Sequence, residues 1–405
     1  MNKCYYLTSL RYSSLFENQV ISWIKLYEQH GLDIAIIKSY SIKTSWNTIF
    51  REYRKIKSQH SKSWFIISIG SKLFIPRAIL AIQIAIIFII NRSLAYTNVI
   101  ISRSAYTIFI KQYLCRIKVD VKHIFDARGS AYQEYLLTCR KAGKNPGTTA
   151  EYIRKYELSA FLHADYVFTV SRALLDHYND YLTEHRDTNV LVTPCMGNTK
   201  EFFYSSNLRA DTRRALGIGD DCITFIYSGG LKLSWQNPDY LVKFIKDMKK
   251  SIINSYFIVL TDDYLNELNS MIDENGIASF VLSKSVDHKD VNSYLNAGDY
   301  GLLFREDHPV NNVASPSKFA EYQLSGLRII ISPGVGDFSG YIELTGFGEI
   351  LPYEYSQDDL NRIVVNIKAN KGKADRIDVA KNAILNFSKD SIIDNIIRVI
   401  KTQME

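Results

Sequence analysis

The 405-residue sequence predicts an α/β protein built as two domains, each a parallel sheet covered by helices on both faces. Three observations lead there. Short β-rich runs alternate with helical stretches from end to end, and the length suits two domains of roughly 150 to 200 residues. A turn-rich break, Thr193-Pro194-Cys195-Met196-Gly197-Asn198, then divides the strands into two series. With 46% apolar and 22% charged residues and little Gly or Pro, collagen-like, disordered and fibrous classes are excluded.

In the first series the expected strands are Lys3–Thr8, Asp33–Lys38, Trp64–Ile69, Val99–Ser102, His123–Asp126, Tyr166–Val170 and Val190–Thr193. Ile223–Ser228, Tyr256–Thr261, Phe280–Ser283, Tyr300–Phe304 and Leu327–Ser332 form the second. The domains are set at 1–200 and 201–387, with residues 388–405 a final helix that can pack back on the first domain. Two such units facing each other gather ligands outside the carboxyl ends of their strands. Ala78–Ile90 carries one polar residue in 13, short of the roughly 20 that span a bilayer, and reads as a buried or membrane-surface helix.

Five scattered cysteines, none in a C-x-x-C pair, argue against a disulfide framework or a zinc site and fit a reducing cytoplasm. The amino terminus reads as a strand, without the apolar stretch and cleavage site of a secretory signal. Net charge is +7, but residues 1–130 hold 19 Lys and Arg against 6 Asp and Glu. That asymmetry points to an anionic partner: a membrane leaflet, a phosphorylated substrate or nucleic acid. No nucleic-acid motif is recognisable, so no nucleic-acid partner is expected.

The most informative segment is Ser315-Pro316-Ser317-Lys318-Phe319-Ala320-Glu321-Tyr322-Gln323-Leu324-Ser325-Gly326. Ser315 suits an N-cap, Pro316 the first helical position and Gly326 the stop. Amides of Ser317, Lys318 and Phe319, the helix dipole and the Lys318 ammonium would then make an anion site suited to a diphosphate. Glu321, one turn on from Ser317, stands where a carboxylate can accept from ribose hydroxyls, or pairs with a surface cation. A glycine turn, Ser228-Gly229-Gly230 with Lys232 after it, lets a ligand approach the backbone and offers a charge for a leaving group. Arg305 ends a strand on the same sheet edge and can reach the diphosphate. In the first domain, Asp126 and Arg128 close a strand; Arg128 can grip phosphate or carboxylate while Asp126 accepts a hydroxyl proton or orients it, or the two form a structural pair. Arg11, Glu17 and Arg103 are weaker candidates, read as surface residues. Histidines are scattered, with His308 beside Asp307 in the loop before the Ser315 helix, and no metal spacing and no G-x-S-x-G is found.

These segments together resemble the retaining nucleotide-sugar glycosyltransferases of family 4. The resemblance rests on Ala164-Asp165-Tyr166-Val167-Phe168-Thr169-Val170-Ser171, Tyr227-Ser228-Gly229-Gly230, Ala297-Gly298-Asp299-Tyr300-Gly301-Leu302-Leu303, the Ser315–Tyr322 segment and Asp126-Ala127-Arg128-Gly129. It implies the GT-B fold, a nucleotide-sugar held by the second domain, a glycan or lipid-linked acceptor taken by the first, and no metal or other cofactor. It also implies diphosphate contacts from Ser317 and Lys318, ribose contacts from Glu321, and a base lying along Ser283–Val286. Members of this kind build bacterial surface polysaccharide on the inner face of the cytoplasmic membrane. Two departures stand out: Val313 occupies the first carboxylate position of the family's Glu-x7-Glu, leaving Glu306 or Asp307 to substitute, and Trp235 stands where a Lys-Gly pair is usual. A nucleotide-sugar epimerase of this fold, or a non-catalytic sugar-nucleotide-binding subunit, are the alternative readings.

Overall fold

The computed structural model describes residues 3–13, 16–69, 74–182, 185–232, 236–370 and 376–405, with the backbone alone for 74–76; Trp235 lies outside these ranges. The chain divides into two units, one of residues 1–170, 175–193 and 392–405, the other of residues 171–174 and 194–391.

Among the described residues the first unit holds seven strands: β1 Lys3–Thr8, β2 Ile34–Ser41, β3 Ser63–Ser68, β4 Asn98–Ser102, β5 Val121–Ala127, β6 Tyr166–Thr169 and β7 Val190–Val192. They pair in the order β3-β2-β1-β4-β5-β6-β7, and every pairing is parallel. In the second unit β8 Ile223–Ser228, β9 Ser255–Leu260, β10 Val281–Lys284, β11 Tyr300–Leu303, β12 Arg328–Ile331 and β13 Gly348–Ile350 run β10-β9-β8-β11-β12-β13, again parallel throughout. All twelve strands expected from sequence are present. The thirteenth, three residues at the sheet edge, is too short to show an alternating pattern.

A parallel sheet is buried on both faces, so its central strands become continuous apolar runs. Cys4, Tyr5, Tyr6 and Leu7 of β1 and Phe225, Ile226 and Tyr227 of β8 are all buried. In both sheets the strand order reverses beside the first strand, at β1/β4 and at β8/β11, and such switch points open a crevice at the carboxyl ends.

Two aspartates of the family-like motifs serve the opposite edge. Asp165, just before β6, accepts from the His123 amide at 2.7 Å and from Lys111 at 2.5 Å. Asp299, just before β11, accepts from the Thr224 amide at 2.8 Å and from Arg209 at 2.6 Å. Each carboxylate caps the start of a neighbouring strand, satisfying an amide the ladder leaves open. These motif positions are thereby explained by sheet construction.

His123 on β5 is fully buried, and neither ring nitrogen finds a hydrogen-bond partner among the described residues. Burial, reinforced by the Lys111 charge, pushes its pKa down to about 3. An exposed histidine titrates near 6.5, so between these values the unfolded chain binds the extra proton and stability falls as pH drops. His123→Leu should therefore lose less stability than the wild type between about pH 7 and pH 5, by about 2 kcal/mol, read from urea unfolding midpoints.

Candidate functional site

At the second switch point the sheet parts. β8 and β9 are in register over six residues, whereas β8 and β11 pair only at Phe225–Tyr300 and Ile226–Gly301, leaving Tyr227 and Ser228 to diverge. The Ser228 amide is met instead by the hydroxyl of Tyr322, at 2.8 Å. Tyr322 is fully buried, and a Cβ on Gly301 would fall inside its ring. Gly301 is thus the mid-strand glycine that admits a side chain to the sheet.

Tyr322 belongs to the Ser317–Leu324 helix, which begins one residue later than the sequence predicts. Pro316 is the cap residue, with extended backbone, and Ser315 does not cap. The Ser315 hydroxyl accepts from the Cys195 amide at 2.8 Å, fixing the segment that enters the unit. Of the three amides expected to be free, that of Phe319 donates to the Pro316 carbonyl at 3.1 Å. Gly326 ends the helix as expected: at φ 73° it lets its own amide bond the Gln323 carbonyl and the Leu327 amide bond that of Tyr322.

Lys318 lies on the same face as Tyr322 and points into the sheet opening. The residue is only 9% exposed, its ammonium sits 4.0 Å above the Tyr227 ring, and Nζ has no hydrogen-bond partner among the described residues. A Cβ on Gly229, itself at φ 132°, would come within 3.1 Å of Nζ, so glycine there makes room for the ammonium. Arg305, 5% exposed, lies close enough to add to burial in holding the Lys318 pKa well below the ordinary lysine range; Glu321 and Asp263 oppose this. Burial depresses Arg305 as well. Lys318 is therefore a desolvated amine with a cation beside it, and an arriving anion stabilises its charged form.

Ser317 and Glu321 share the other face. Burial raises the Glu321 pKa, against the pull of His288, of a hydrogen bond from Ser317 and of Lys318. His288 lies 3.1 Å from the Glu201 carboxylate. Glu321 is thus a partly buried acceptor among cations, one turn beyond the buried ammonium.

The glycine turn is held from below. Asp263 accepts from the Leu231 amide at 2.8 Å and from the Thr261 hydroxyl at 3.2 Å, and a Cβ on Gly230 would meet its Oδ2 at 2.7 Å. Lys232 faces outward, more than half exposed, with its ammonium 3.5 Å from Glu267. Val313 is buried and its carbonyl accepts from Ser171 at 2.8 Å. Glu306 and Asp307 are exposed, and the Asp307 carboxylate accepts from Asn312 at 2.9 Å. His308 caps the short Pro309–Asn312 helix. Along β10, Ser283 bonds Asn269, Lys284 reaches the Tyr294 hydroxyl at 3.1 Å and Ser285 donates to Asp262 at 2.5 Å.

In the first unit a polar cluster fills the β1/β4 switch point. Asp126, 7% exposed at the end of β5, accepts from the Tyr6 hydroxyl at 3.0 Å and lies 3.4 Å from both Arg103 and Arg128. Arg103 donates to Tyr6 at 2.9 Å and to Gln19 at 2.8 Å; Arg128 also donates to the Thr193 carbonyl at 3.1 Å. Arg103, read from sequence as a surface residue, is instead mostly buried, because it follows β4 directly into the crevice. Both Asp126 oxygens are engaged, a geometry that orients two guanidiniums. Arg11 is exposed, and Glu17 is held by Tyr12 and Gln59 away from this cluster.

No family model and no curated protein sequence matches the chain. Solved structures do. Sucrose-phosphate synthase of Thermosynechococcus elongatus superposes at a TM-score of 0.69 with 13% identity over 99% of both chains. Anabaena HepE, solved in complex with UDP, gives 0.71 with 14% identity over 99% of this chain and 100% of that one. WaaG, a glycosyltransferase involved in lipopolysaccharide biosynthesis, gives 0.63 with 13% identity over 98% and 99%. The fold is GT-B.

Sequence reasoning picked out Lys318, Glu321, Gly229 and Arg305, and the structure puts Lys318 against Gly229 with Arg305 nearby. It missed Tyr227, Tyr322, Asp263 and Tyr6. The legible signal for Tyr322 is Gly301, a glycine in an otherwise apolar strand. Gly301→Ala should cost about 1 to 3 kcal/mol in chemical denaturation, because the methyl displaces a buried ring and with it the hydroxyl that caps Ser228.

Proposed function

We propose that this protein is a retaining glycosyltransferase that moves a sugar from a nucleoside-diphosphate donor to a glycan or lipid-linked acceptor in surface-polysaccharide assembly. The observation that carries the reading is the Lys318 ammonium, nine-tenths buried and without a hydrogen-bond partner among the described residues, at the carboxyl end of β8. In this account Lys318 and Arg305 hold the diphosphate, Ser317 supplies a hydroxyl or amide, and Glu321 accepts from the ribose. The Ser228-Gly229-Gly230 turn admits the donor close to the backbone. The likeness to a UDP-bound structure of the same fold supports a nucleotide at this sheet.

Chemically, the anomeric C–O bond to the diphosphate breaks, and both its electrons leave on the nucleoside diphosphate. The new bond forms from an acceptor hydroxyl on the same face of the sugar, and the hydroxyl proton leaves with the diphosphate. Fixed cations in a desolvated site stabilise the departing charge without a dedicated nucleophile. Arg128, oriented by Asp126, and Arg103 are proposed to contact the acceptor. Lys232, paired with Glu267 at the surface, must leave that pair to assist. Val313 favours a second reading, a binding subunit without turnover, since it presents no carboxylate to the donor sugar.

Lys318→Met separates binding from folding. Its buried charge costs stability in the empty protein, and because its pKa is depressed the wild type gains stability as pH rises toward the ordinary lysine range. The variant should keep or raise the empty-state melting temperature. It should also lose the stabilisation that UDP or another nucleoside diphosphate confers, by tenfold or more in Kd, about 1.4 kcal/mol. Wild-type affinity should fall as pH rises through the range in which Lys318 deprotonates. An undiminished nucleotide shift in the variant overturns the reading, and turnover of a sugar-nucleotide panel with glycan acceptors separates enzyme from binding subunit.

A further inference from the structure

The Phe74–Ile90 helix packs on the first sheet through Leu80, Ala81, Ile84 and Phe88, which join Tyr5, Leu7 and Ile37 in one cluster. Its outward side should be polar for a helix in water. Instead that side is a stripe of Ile82, Ile86, Ile89 and Ile90, exposed by 56, 49, 56 and 56%. The spacing 82-86-89-90 is that of a single helix face. The apolar surface continues past the helix end through exposed Leu94 and Tyr96. Among the described residues no helix is long and apolar enough to cross a membrane.

Charge says what covers this face. Between Glu52 and Asp120 the sequence has no acidic residue and eleven lysines and arginines. Two of these cations stand at matching places. The Phe74–Ile90 helix and its packed neighbour, Thr107–Arg116, end in the same motif, with Arg92 and Lys118 at φ 54° and 60°. At each end the next amide closes back on the helix, Ser93 to the Phe88 carbonyl at 2.9 Å and Val119 to that of Leu114 at 3.0 Å. Glycine is the usual residue there, since a Cβ disfavours the left-handed conformation. Both helices instead spend that position on an exposed cation, at the strand-start end of the sheet, beside exposed Ile117.

We propose that the isoleucine stripe and the Arg92/Lys118 pair form a docking face for an anionic lipid surface. The helix lies in the interface with its isoleucines among the acyl chains, Tyr96 at the headgroup level and the two cations against lipid phosphate. An apolar stripe alone would equally suit a second copy of the chain. Exposed Arg92, Arg116 and Lys118 outnumber the one carboxylate beside them, Asp120, which is bonded to Thr97, and this positive excess favours lipid, since two such faces would repel each other. The inference rests on the first unit alone and is independent of the donor site.

The test is flotation of the full chain with vesicles of phosphatidylethanolamine and phosphatidylglycerol, compared with phosphatidylcholine alone. The wild type should float with the anionic vesicles and be released by salt. The triple variant Ile82→Ser/Ile86→Ser/Ile89→Ser should lose binding by at least roughly tenfold. Arg92→Gly/Lys118→Gly should lose roughly tenfold while keeping or raising the melting temperature, because glycine relieves the left-handed backbone. A lower melting temperature with unchanged flotation would assign the cations to helix capping and overturn the proposal. So would a wild type that stays off anionic vesicles, or one that dimerises in solution through the isoleucines without binding lipid.

Discussion

A lysine buried without a hydrogen-bond partner among the described residues is the constraint on which the second unit turns. Removing an ammonium from water costs several kcal/mol unless something answers its charge. Here the nearby cation Arg305 compounds the cost, and Glu321 and Asp263 offset it only in part, Asp263 being engaged by the Leu231 amide and the Thr261 hydroxyl. The surrounding structure is arranged to hold that ammonium in place. Gly229 clears the space, Tyr227 offers a ring face, and Tyr322, a turn along the same helix, ties it to the end of β8.

The place follows from topology. Where strand order reverses, adjacent crossovers leave on opposite sides and the sheet opens at its carboxyl end. Both units put polar groups at that point, but in different states. In the first, Asp126 balances Arg103 and Arg128 through short-range bonds, leaving guanidinium edges oriented. In the second the balance is incomplete. The first cluster is balanced within itself, whereas the second gains stability from an added anion.

The sheets were legible because buried parallel strands are short continuous apolar runs punctuated by turns, and such runs can be counted. Gly348–Ile350 escaped because three edge residues carry no period. The helix-start chemistry at Ser315 was readable in type but displaced by one residue: extended Pro316 takes the cap, and the hydroxyl goes to a distant amide, a tertiary demand no local pattern encodes. Lys318 and Gly229 could each be singled out, yet their contact spans the unit and depends on β8 and β11 diverging. Arg103 was misjudged for a related reason, since nothing in its neighbours reveals that Tyr6 and Gln19 will meet it. The isoleucine helix was ambiguous in sequence, and only its packing shows which residues face outward.

Crystals soaked with a nucleoside-diphosphate sugar test the central claim most directly. The account predicts diphosphate oxygens within hydrogen-bonding distance of Lys318 Nζ, beside the Gly229 turn, with the ribose against Glu321. A donor bound elsewhere, or a Lys318 ammonium still unpartnered with the donor in place, would contradict it.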